Sequence, residues 1–307
     1  TSFADFQGVK GSAFAVGSAT DALEITAEFC QFEPGDEFVI PAHTYTASCY
    51  PFIKKGGIPV WADIDIKTRV VTAETIERCL NPKTKAILVV HLYGYVVEMN
   101  PILELAKANN LLVIEDAAQS IGSKYKAQRA GSMADFGVFS FHSHKNISTL
   151  GEGGMLWVKE PEFAKLVPLL RHNGHCAFDY EREKYWIPAM GNVDLPELEG
   201  EFLWPNNYCL GETQCALGSK LLDRIDQINM EKRERAIYFI DEMKNSINGI
   251  KKVSRKTAQE LENLAESNST DLTKKHLKET VKNLDNQKPF QAMDASYSSM
   301  QSMQSME

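Results

Sequence analysis

Two short apolar runs, each leading to charged residues, constrain the fold of this chain more than any other feature. The first run, Leu111-Leu-Val-Ile114, is followed directly by Glu115 and Asp116. The second run, Phe136-Gly-Val-Phe-Ser140, leads into Lys145. Unbroken apolar runs of this length are typical of strands that are buried on both faces of a parallel sheet. The pattern therefore predicts an α/β fold in which Asp116 and Lys145 both lie just past strand ends.

The position of these two residues indicates a cofactor. Ligands of open α/β sheets bind outside the carboxyl ends of the strands. Pyridoxal phosphate has an aldehyde carbon that a lysine can bind and a pyridinium nitrogen that an aspartate can pair with. Asp116 and Lys145 together therefore predict a pyridoxal phosphate site, although either one alone fits a helix N-cap or a surface lysine.

Size and charge exclude several classes of protein. With 307 residues the chain can form one large domain and a smaller one, and its net charge of −8 argues against a nucleic-acid binder. The chain has neither an apolar run of the ~20 residues that span a bilayer nor a secretory signal pattern. Its six cysteines are scattered, as expected of reduced thiols in the cytoplasm.

Strands and helices alternate through the first part of the chain, which predicts βαβ units and a mostly parallel sheet. We expect single helices over residues 46–55, 100–109 and 161–171, the second with Asn100 as its N-cap. The predicted domains are a cofactor-binding large domain over residues 1–205, a long helix over 206–250 that leads to the small domain, and an atypical polar tail over 251–307. The tail is too polar to fold alone, and we expect marginal helices followed by disorder there.

Other candidate residues flank the two strand ends. Backbone N–H groups at a helix N-terminus bind phosphate, and Ala19 and Thr20 begin the first predicted helix after Gly17-Ser18. Ser140 offers a hydroxyl at a strand end, Gln119 is placed to reach a ring hydroxyl, and Tyr45 is placed to stack on a flat ring. Taken alone, the Ser/Thr segment is an N-cap and Tyr45 is a core aromatic residue.

The histidines suggest a metal site, but their spacing argues against one. His142, His144, His172 and His175 lie near Cys176, yet no set with the spacing of a structural zinc site emerges. We therefore expect no metal and interpret these side chains as polar residues that flank a cleft.

Several longer motifs together resemble the DegT/DnrJ/EryC1/StrS family of sugar aminotransferases, which have the fold-type-I pyridoxal phosphate architecture. The resemblance covers residues 10–175 and 207–243. The motifs that carry it are Gly17-Ser-Ala-Thr-Asp-Ala-Leu23, Pro34-Gly-Asp-Glu37, Pro41-Ala-His-Thr-Tyr45, His91-Leu-Tyr-Gly94, Glu115-Asp-Ala-Ala-Gln119, Ser140-Phe-His-Ser-His-Lys-Asn146 and Gly151-Glu-Gly-Gly154.

The resemblance assigns a role to each candidate residue. It implies that Lys145 is the catalytic residue and binds the cofactor covalently, that Asp116 pairs with the ring nitrogen and that Gln119 contacts the ring hydroxyl. It also implies that Tyr45 stacks on the ring and that the phosphate is bound by Ala19, Thr20 and Ser140, with Asn207 from the neighbouring subunit.

The resemblance further implies a reaction and an assembly. The amino group of glutamate would pass to the keto group of a nucleotide-linked sugar, in the biosynthesis of amino sugars for surface polysaccharides or secondary metabolites. The enzyme would be a cytoplasmic homodimer with its sites at the subunit interface.

Two alternatives remain open. Sugar dehydratases of the same family carry His at the position of Lys145, so Lys145 favours transamination. A truncated cofactor-binding protein with little or no catalysis is the other alternative, because the family's small C-terminal domain is not recognisable after about residue 250. The chain also departs from the family in a shortened N-terminal helical region and in Cys209, which stands where family members usually carry Arg.

Overall fold

The computed structural model describes residues 2–174 and 203–268. The chain forms two compact units, Thr1–Asn229 and Met230–Glu307. The three-part division predicted from the sequence stays a prediction, and the predictions for residues 175–202 and 269–307 fall outside the described residues.

Seven strands of the first unit form one sheet, and two short strands form a separate hairpin. The sheet strands are β1 (Ser12–Val16), β2 (Glu37–Pro41), β3 (Ile58–Ala62), β4 (Thr84–Val90), β5 (Leu112–Asp116), β8 (Phe136–Ser140) and β9 (Gly154–Val158). The hairpin consists of β6 (Lys124–Tyr125) and β7 (Gln128–Arg129).

The sheet order is β1-β9-β8-β5-β4-β2-β3. Strands β2, β3, β4, β5 and β8 pair in parallel, whereas β9 is antiparallel to both of its neighbours. Strand β1 therefore runs in the same direction as the parallel strands. Strand β8 is buried along its whole length and β4 at every position except Lys85, which confirms the predicted buried, mostly parallel sheet.

Nine α-helices are present in the described residues. They are α1 (Ser2–Gln7), α2 (Ala19–Phe29), α3 (Tyr50–Lys54), α4 (Ala73–Glu77), α5 (Met99–Ala108), α6 (Pro161–Ala164), α7 (Val167–Arg171), α8 (Glu212–Leu222) and α9 (Ile225–Asn268).

Helix α2 packs against the sheet beside β8 and β9 and is buried from Ala22 to Phe29. Its buried face includes two carboxylates. Glu24 pairs with Lys54 at 2.5 Å and Glu28 pairs with Lys55. A buried charge is costly unless it is paired, so these contacts allow a partly polar helix to lie against the core.

Three helix predictions are wrong in detail, in two cases because of proline. Residues 46–55 form a 3₁₀ turn, Thr46–Ser48, and then α3, which has Pro51 in its first turn. Residues 161–171 form α6 and α7 rather than one helix, because Pro168 has no N–H to continue the helical hydrogen-bond series. Helix α5 begins at Met99 after the N-cap residue Glu98, so Asn100 is not the cap.

Candidate active site

The sheet topology brings the predicted site residues to one edge. Asp116 ends β5 and Ser140 ends the neighbouring strand β8, and the two strands run in parallel. Since β9 is antiparallel, its first residue, Gly154, lies opposite both Ser140 and Val16, the last residue of β1. The carboxyl ends of β1, β8 and β5 and the start of β9 therefore share one edge of the sheet.

The N-terminus of α2 lies directly over this edge. Ser18 is the N-cap, and its Oγ accepts a hydrogen bond from the backbone N–H of Asp21 at 3.1 Å. Ala19 and Thr20 form the start of the helix, where N–H groups have no acceptor within the helix. A β-carbon on Gly154 would lie 2.7 Å from the backbone nitrogen of Ala19, so only glycine lets β9 approach this turn. The result is a hydrogen-bond-donating surface at the first turn of α2, with Gly154 and the end of β8 beside it.

Asp21 lies beside this surface, next to the N-cap. Burial raises the pKa of its carboxyl, and hydrogen bonds from Ser18 oppose that rise. Tyr208, whose carbonyl oxygen accepts the N–H of Gly17 at 2.8 Å, has its pKa raised to about 12, chiefly by burial. In both groups burial favours the neutral, protonated form.

Asp116 is held on both carboxylate oxygens. It is only 6% exposed; Oδ2 accepts from the Ser48 hydroxyl at 2.7 Å and Oδ1 from the backbone N–H of Ala118 at 3.0 Å. The Ser48 oxygen in turn accepts from the Thr44 hydroxyl at 2.8 Å. A carboxylate has about four lone-pair positions, so Asp116 can accept a further hydrogen bond from a ligand.

Gln119 is oriented by its neighbour. Its Oε1 accepts the backbone N–H of Tyr93 at 2.8 Å, which identifies Nε2 as the end of the amide that can donate to a ligand. Tyr93 has φ of +54°, a conformation uncommon for a bulky residue, and its side chain is 77% exposed. The hydrogen bond to Gln119 stabilises that backbone conformation.

Lys145 lies in the loop that follows β8 and is partly buried. Its backbone N–H donates to the carbonyl oxygen of His142 at 2.9 Å. The next residue, Asn146, donates to Asn229 Oδ1 at 2.7 Å, and Asn229 Nδ2 donates to the Ile121 carbonyl at 2.9 Å. Asn229 thus connects the loop that carries Lys145 to the loop that follows Asp116 and Gln119.

A buried hydrogen-bonded pair supports the same edge from within the core. His91 and Glu115 are both fully buried, with His91 Nε2 2.9 Å from Glu115 Oε2. The Val97 N–H donates to His91 Nδ1 at 3.2 Å, so Nε2 carries the ring proton and donates to Glu115. The Glu115 carboxylate also accepts three backbone N–H groups, from Gly131, Met133 and Ala134, at 2.6–2.8 Å. Since Glu115 directly precedes Asp116, this network fixes the end of β5.

Tyr45 and Asn207 lie at the margin of the site. Tyr45 is 72% exposed and directly precedes the 3₁₀ turn that contains Ser48. Asn207 is exposed and forms an isolated antiparallel β-bridge with His172. Two residues further on, Cys209 forms a similar bridge with Val16, the last residue of β1. Within this chain neither residue is buried against the others, so the roles predicted for them need the cofactor or a second subunit.

Sequence reasoning missed Ser48, Thr44, Asn229 and the His91–Glu115 pair. Each acts through contacts between residues far apart in the chain; Ser48 and Asp116, for example, are 68 positions apart. The one available signal was the position of Thr44 and Ser48 on either side of Tyr45, just past a strand end.

The histidines beside Lys145 contact one another but do not form a metal site in the described residues. The rings of His142 and His144 lie 4.9 Å apart, and His142 Nε2 is 3.5 Å from Glu152 Oε1. Residues 2–174 and 203–268 contain no group of three or more His, Cys, Asp or Glu side chains arranged to hold a metal ion.

An α/β sheet with an acid, a lysine loop and a helix N-terminus at one edge is the arrangement of a cofactor-dependent enzyme. The model of the DegT/DnrJ/EryC1/StrS aminotransferase family matches residues 1–301. The chain belongs to this family, as its motifs predict.

Two of the curated relatives are named for nucleotide-linked sugars, and others are named L-glutamine:2-deoxy-scyllo-inosose aminotransferases. The chain is 38% identical over 240 residues to GDP-perosamine synthase of Caulobacter vibrioides, covering 78% of this chain and 59% of the relative. It is 39% identical over 173 residues to UDP-N-acetyl-3-dehydro-α-D-glucosamine 3-aminotransferase of Acidithiobacillus ferrooxidans, covering 56% of this chain and 47% of the relative. The chain thus spans about half of the length of the curated relatives that it matches.

A solved structure confirms the predicted fold. The Escherichia coli GDP-4-keto-6-deoxy-D-mannose-3-dehydratase with bound hydrated pyridoxal phosphate aligns with a TM-score of 0.64 and 26% identity, covering 79% of this chain and 63% of the dehydratase. The mostly parallel central sheet flanked by helices is therefore that of the fold-type-I pyridoxal-phosphate-dependent transferases. Among the described residues, no helix has both the length and the apolar character needed to cross a membrane.

Proposed function

We propose that this protein binds pyridoxal 5'-phosphate and transfers the amino group of glutamate to the keto group of a nucleotide-linked sugar. The observation that carries the proposal is the shared sheet edge. Asp116 ends β5, the Lys145 loop follows the adjacent strand β8, and Gly154 lies between Ser140 and the start of α2. The names of two relatives, GDP-perosamine synthase and the UDP-linked 3-aminotransferase, support a nucleotide-linked sugar as the substrate.

The residues present fit the cofactor. Gly154 lets β9 pack directly against the first turn of α2, and that turn suits a phosphate, which accepts hydrogen bonds from backbone N–H groups at a helix N-terminus. Thr20 and Ser140 add hydroxyl groups at the same edge. Asp116 is buried, is hydrogen-bonded on both oxygens and retains lone pairs for a ring nitrogen. When bound, pyridoxal phosphate supplies an electron sink for chemistry at the carbon that bears the amino group.

Each residue then has a defined task. Asp116 holds the proton of the ring nitrogen, and Gln119 Nε2 donates to the ring oxygen. Tyr45 covers a face of the ring, and Asn207 reaches the phosphate of the neighbouring subunit. Lys145 binds the cofactor covalently at rest; once released, its Nζ removes a proton from the amino-bearing carbon of glutamate and returns one to the sugar carbon that is aminated.

Lys145 also favours transamination over dehydration. A primary amine can both bind the cofactor aldehyde and move a proton, whereas the family's dehydratases resemble this chain but carry His at this position. His144 lies one position too early in the chain to replace it.

We propose that the active form is a homodimer in the cytoplasm. The exposed aromatic side chains of Tyr45 and Tyr93, at 72% and 77%, leave apolar surface at the edge of the site that a second subunit would cover. The five cysteines in the described residues are all free thiols, as expected in a reducing compartment. Sedimentation of the purified protein tests the dimer.

The first experiment is an absorbance titration with pyridoxal phosphate of the wild-type chain, Lys145→Ala and the control Lys107→Ala, an exposed lysine on α5. We expect a visible band in the wild type and the control, and none in Lys145→Ala. Glutamate should bleach the band and release 2-oxoglutarate, and a nucleotide-linked keto-sugar should restore it. A Lys145-dependent band that glutamate leaves unchanged would identify a cofactor-binding protein without transamination, and the absence of any such band would refute the proposal.

A further inference from the structure

We propose that Ser48, supported by Thr44, is a positioning residue that sets the orientation and hydrogen-bonding state of Asp116 and fixes the Tyr45 turn beside it. The inference rests on the proposed function, because it concerns the acid that would pair with the cofactor ring. Ser48 is not assigned to the site by any motif in the sequence.

The direction of the hydrogen bonds in this chain follows from proton counting. The Asp116 carboxylate can only accept, so the 2.7 Å contact requires the Ser48 hydroxyl to donate its single proton to Oδ2. The Ser48 oxygen is then left as an acceptor, and the Thr44 hydroxyl donates to it at 2.8 Å. The result is an ordered series in which Thr44 donates to Ser48 and Ser48 donates to Asp116.

Because the series is buried, the loss of one hydroxyl group should weaken the whole series of hydrogen bonds. Ser48 is 1% exposed and Asp116 is 6% exposed, so bulk water does not readily replace a lost donor. Hydrogen bonds to a charged group in such surroundings are stronger than those between neutral groups, and consecutive bonds polarise one another. Removing the Thr44 hydroxyl should therefore weaken the donation from Ser48 to Asp116 even though Thr44 does not itself donate to the carboxylate.

The contacts of Asp116 explain why its orientation depends on Ser48. Oδ1 is held by the Ala118 N–H in the loop that follows β5, and Oδ2 by Ser48 from the loop that follows β2. The two donors come from different parts of the chain and together fix the plane of the carboxylate. Without Ser48 only the local contact remains, and the carboxylate can rotate.

Ser48 also connects this carboxylate to the turn that carries Tyr45. The backbone N–H of Ser48 donates to the Tyr45 carbonyl oxygen at 3.0 Å and closes the turn. One residue thereby holds the acid for the ring nitrogen and the turn that presents the predicted stacking residue. We infer that the two groups are kept in register with each other through Ser48.

Four variants test this inference, with pyridoxal phosphate as the probe. Ser48→Ala removes the donor to Asp116, Thr44→Val removes the donor behind it, and Thr44→Ser restores that hydroxyl. Ser132→Ala is the matched control, because Ser132 is 4% exposed and donates at 2.7 Å to a backbone carbonyl, that of Arg129. The readouts are the cofactor dissociation constant, the pH profile of the visible band and the melting temperature of the apo protein.

We expect Ser48→Ala to weaken cofactor binding about tenfold. The pH at which the visible band changes should move by about half a unit or more. Thr44→Val should shift the profile in the same direction by less, and Thr44→Ser should match the wild type. Ser132→Ala should lower only the melting temperature. If Ser48→Ala does not fold, the contrast between Thr44→Val and Thr44→Ser decides the question.

The inference is overturned if Ser48→Ala or Thr44→Val lowers the melting temperature but leaves the dissociation constant and the pH profile at wild-type values. That result would leave the proposed function intact, because the wild type would still form its Lys145-dependent band. A wild type without that band would overturn both.

Discussion

Gly154 lies so close to Ser18 that a β-carbon on the glycine would be 2.5 Å from the carbonyl carbon of the serine. The obstacle is backbone, which cannot move aside as a flexible side chain can. Position 154 therefore requires glycine because there is no room for a side chain. Gly151 presents the opposite case. It has open surroundings, but its φ of +117° is a backbone conformation that favours glycine.

The contact between Gly154 and Ser18 gives the first prediction. Gly154→Ala should destabilise the protein by about 1–3 kcal/mol, the usual cost of overpacking, and should displace the first turn of α2. If that turn binds the cofactor phosphate, the affinity for pyridoxal phosphate should fall by at least about tenfold. Denaturant unfolding and a cofactor titration measure the two effects.

Gly249→Ala is the control for this prediction. Gly249 is exposed in α9, and a β-carbon added there would have no atom within 4 Å. Alanine should therefore stabilise the helix by about 0.5–1 kcal/mol and leave cofactor affinity unchanged. Wild-type cofactor affinity in Gly154→Ala would contradict the phosphate site proposed at the start of α2.

The Glu115 carboxylate gives the second prediction. It accepts hydrogen bonds from His91 and from three backbone N–H groups, so each oxygen faces two donors. Glu115→Gln places an NH₂ group against two of these donors and should cost about 3 kcal/mol. Urea unfolding measures the cost.

Glu74→Gln is the matched control, because Glu74 is an exposed carboxylate that pairs with Arg78, which is also exposed. This change should alter stability very little. Equal stability of the two variants would show that the Glu115 network does not stabilise the end of β5.

Much of the site follows from local sequence, and the rest does not. The apolar runs place Asp116 at the end of β5 and Lys145 in the loop after β8, since burial on both faces of a sheet requires such runs. Ser18 and the apolar helical face after it predict where α2 begins. The position of Gly154 beside the start of α2 depends on the antiparallel pairing of β9 with β1 and β8. The Gly-rich segment 151–154 does not specify that pairing.

The missed features share a physical cause. The sequence pattern places Ser48 inside a predicted helix, where a serine usually faces solvent or its own backbone, and only the folded chain brings it to Asp116. Glu115 similarly finds its backbone donors 16 to 19 positions further along the chain. Contacts of this kind depend on how elements pack, so a pattern within one element does not reveal them.

Asp21 gives a prediction on pH. Burial raises the pKa of its carboxyl in the folded protein, so the unfolded chain loses this proton at lower pH than the folded one. Stability contributed by the protonated group is therefore lost as the pH rises from the ordinary carboxyl pKa, near about 4, through the raised value. Asp21→Asn removes this effect and keeps an acceptor for Ser18.

The measurement for Asp21 is the free energy of unfolding of both proteins across this pH range. The stability of Asp21→Asn relative to the wild type should increase as the pH rises through the window and then become constant. A difference that does not change with pH would show that Asp21 is not desolvated by the fold.

Gln119 gives the last prediction, because the two ends of its amide have different surroundings. Its Oε1 accepts the N–H of Tyr93, whose backbone has a positive φ, and its Nε2 is left for the hydrogen bond that we propose to the cofactor. Gln119→Glu keeps an oxygen for the Tyr93 N–H but replaces the donor with a second acceptor. The melting temperature should stay close to that of the wild type, while cofactor affinity falls by about tenfold or more.

Gln119→Ala removes both groups and should lower the melting temperature as well as the affinity. Gln128→Glu, an exposed change in the β6–β7 hairpin, controls for the added charge. If Gln119→Glu binds pyridoxal phosphate as tightly as the wild type, then the amide does not contact the cofactor, and Gln119 serves only to hold Tyr93.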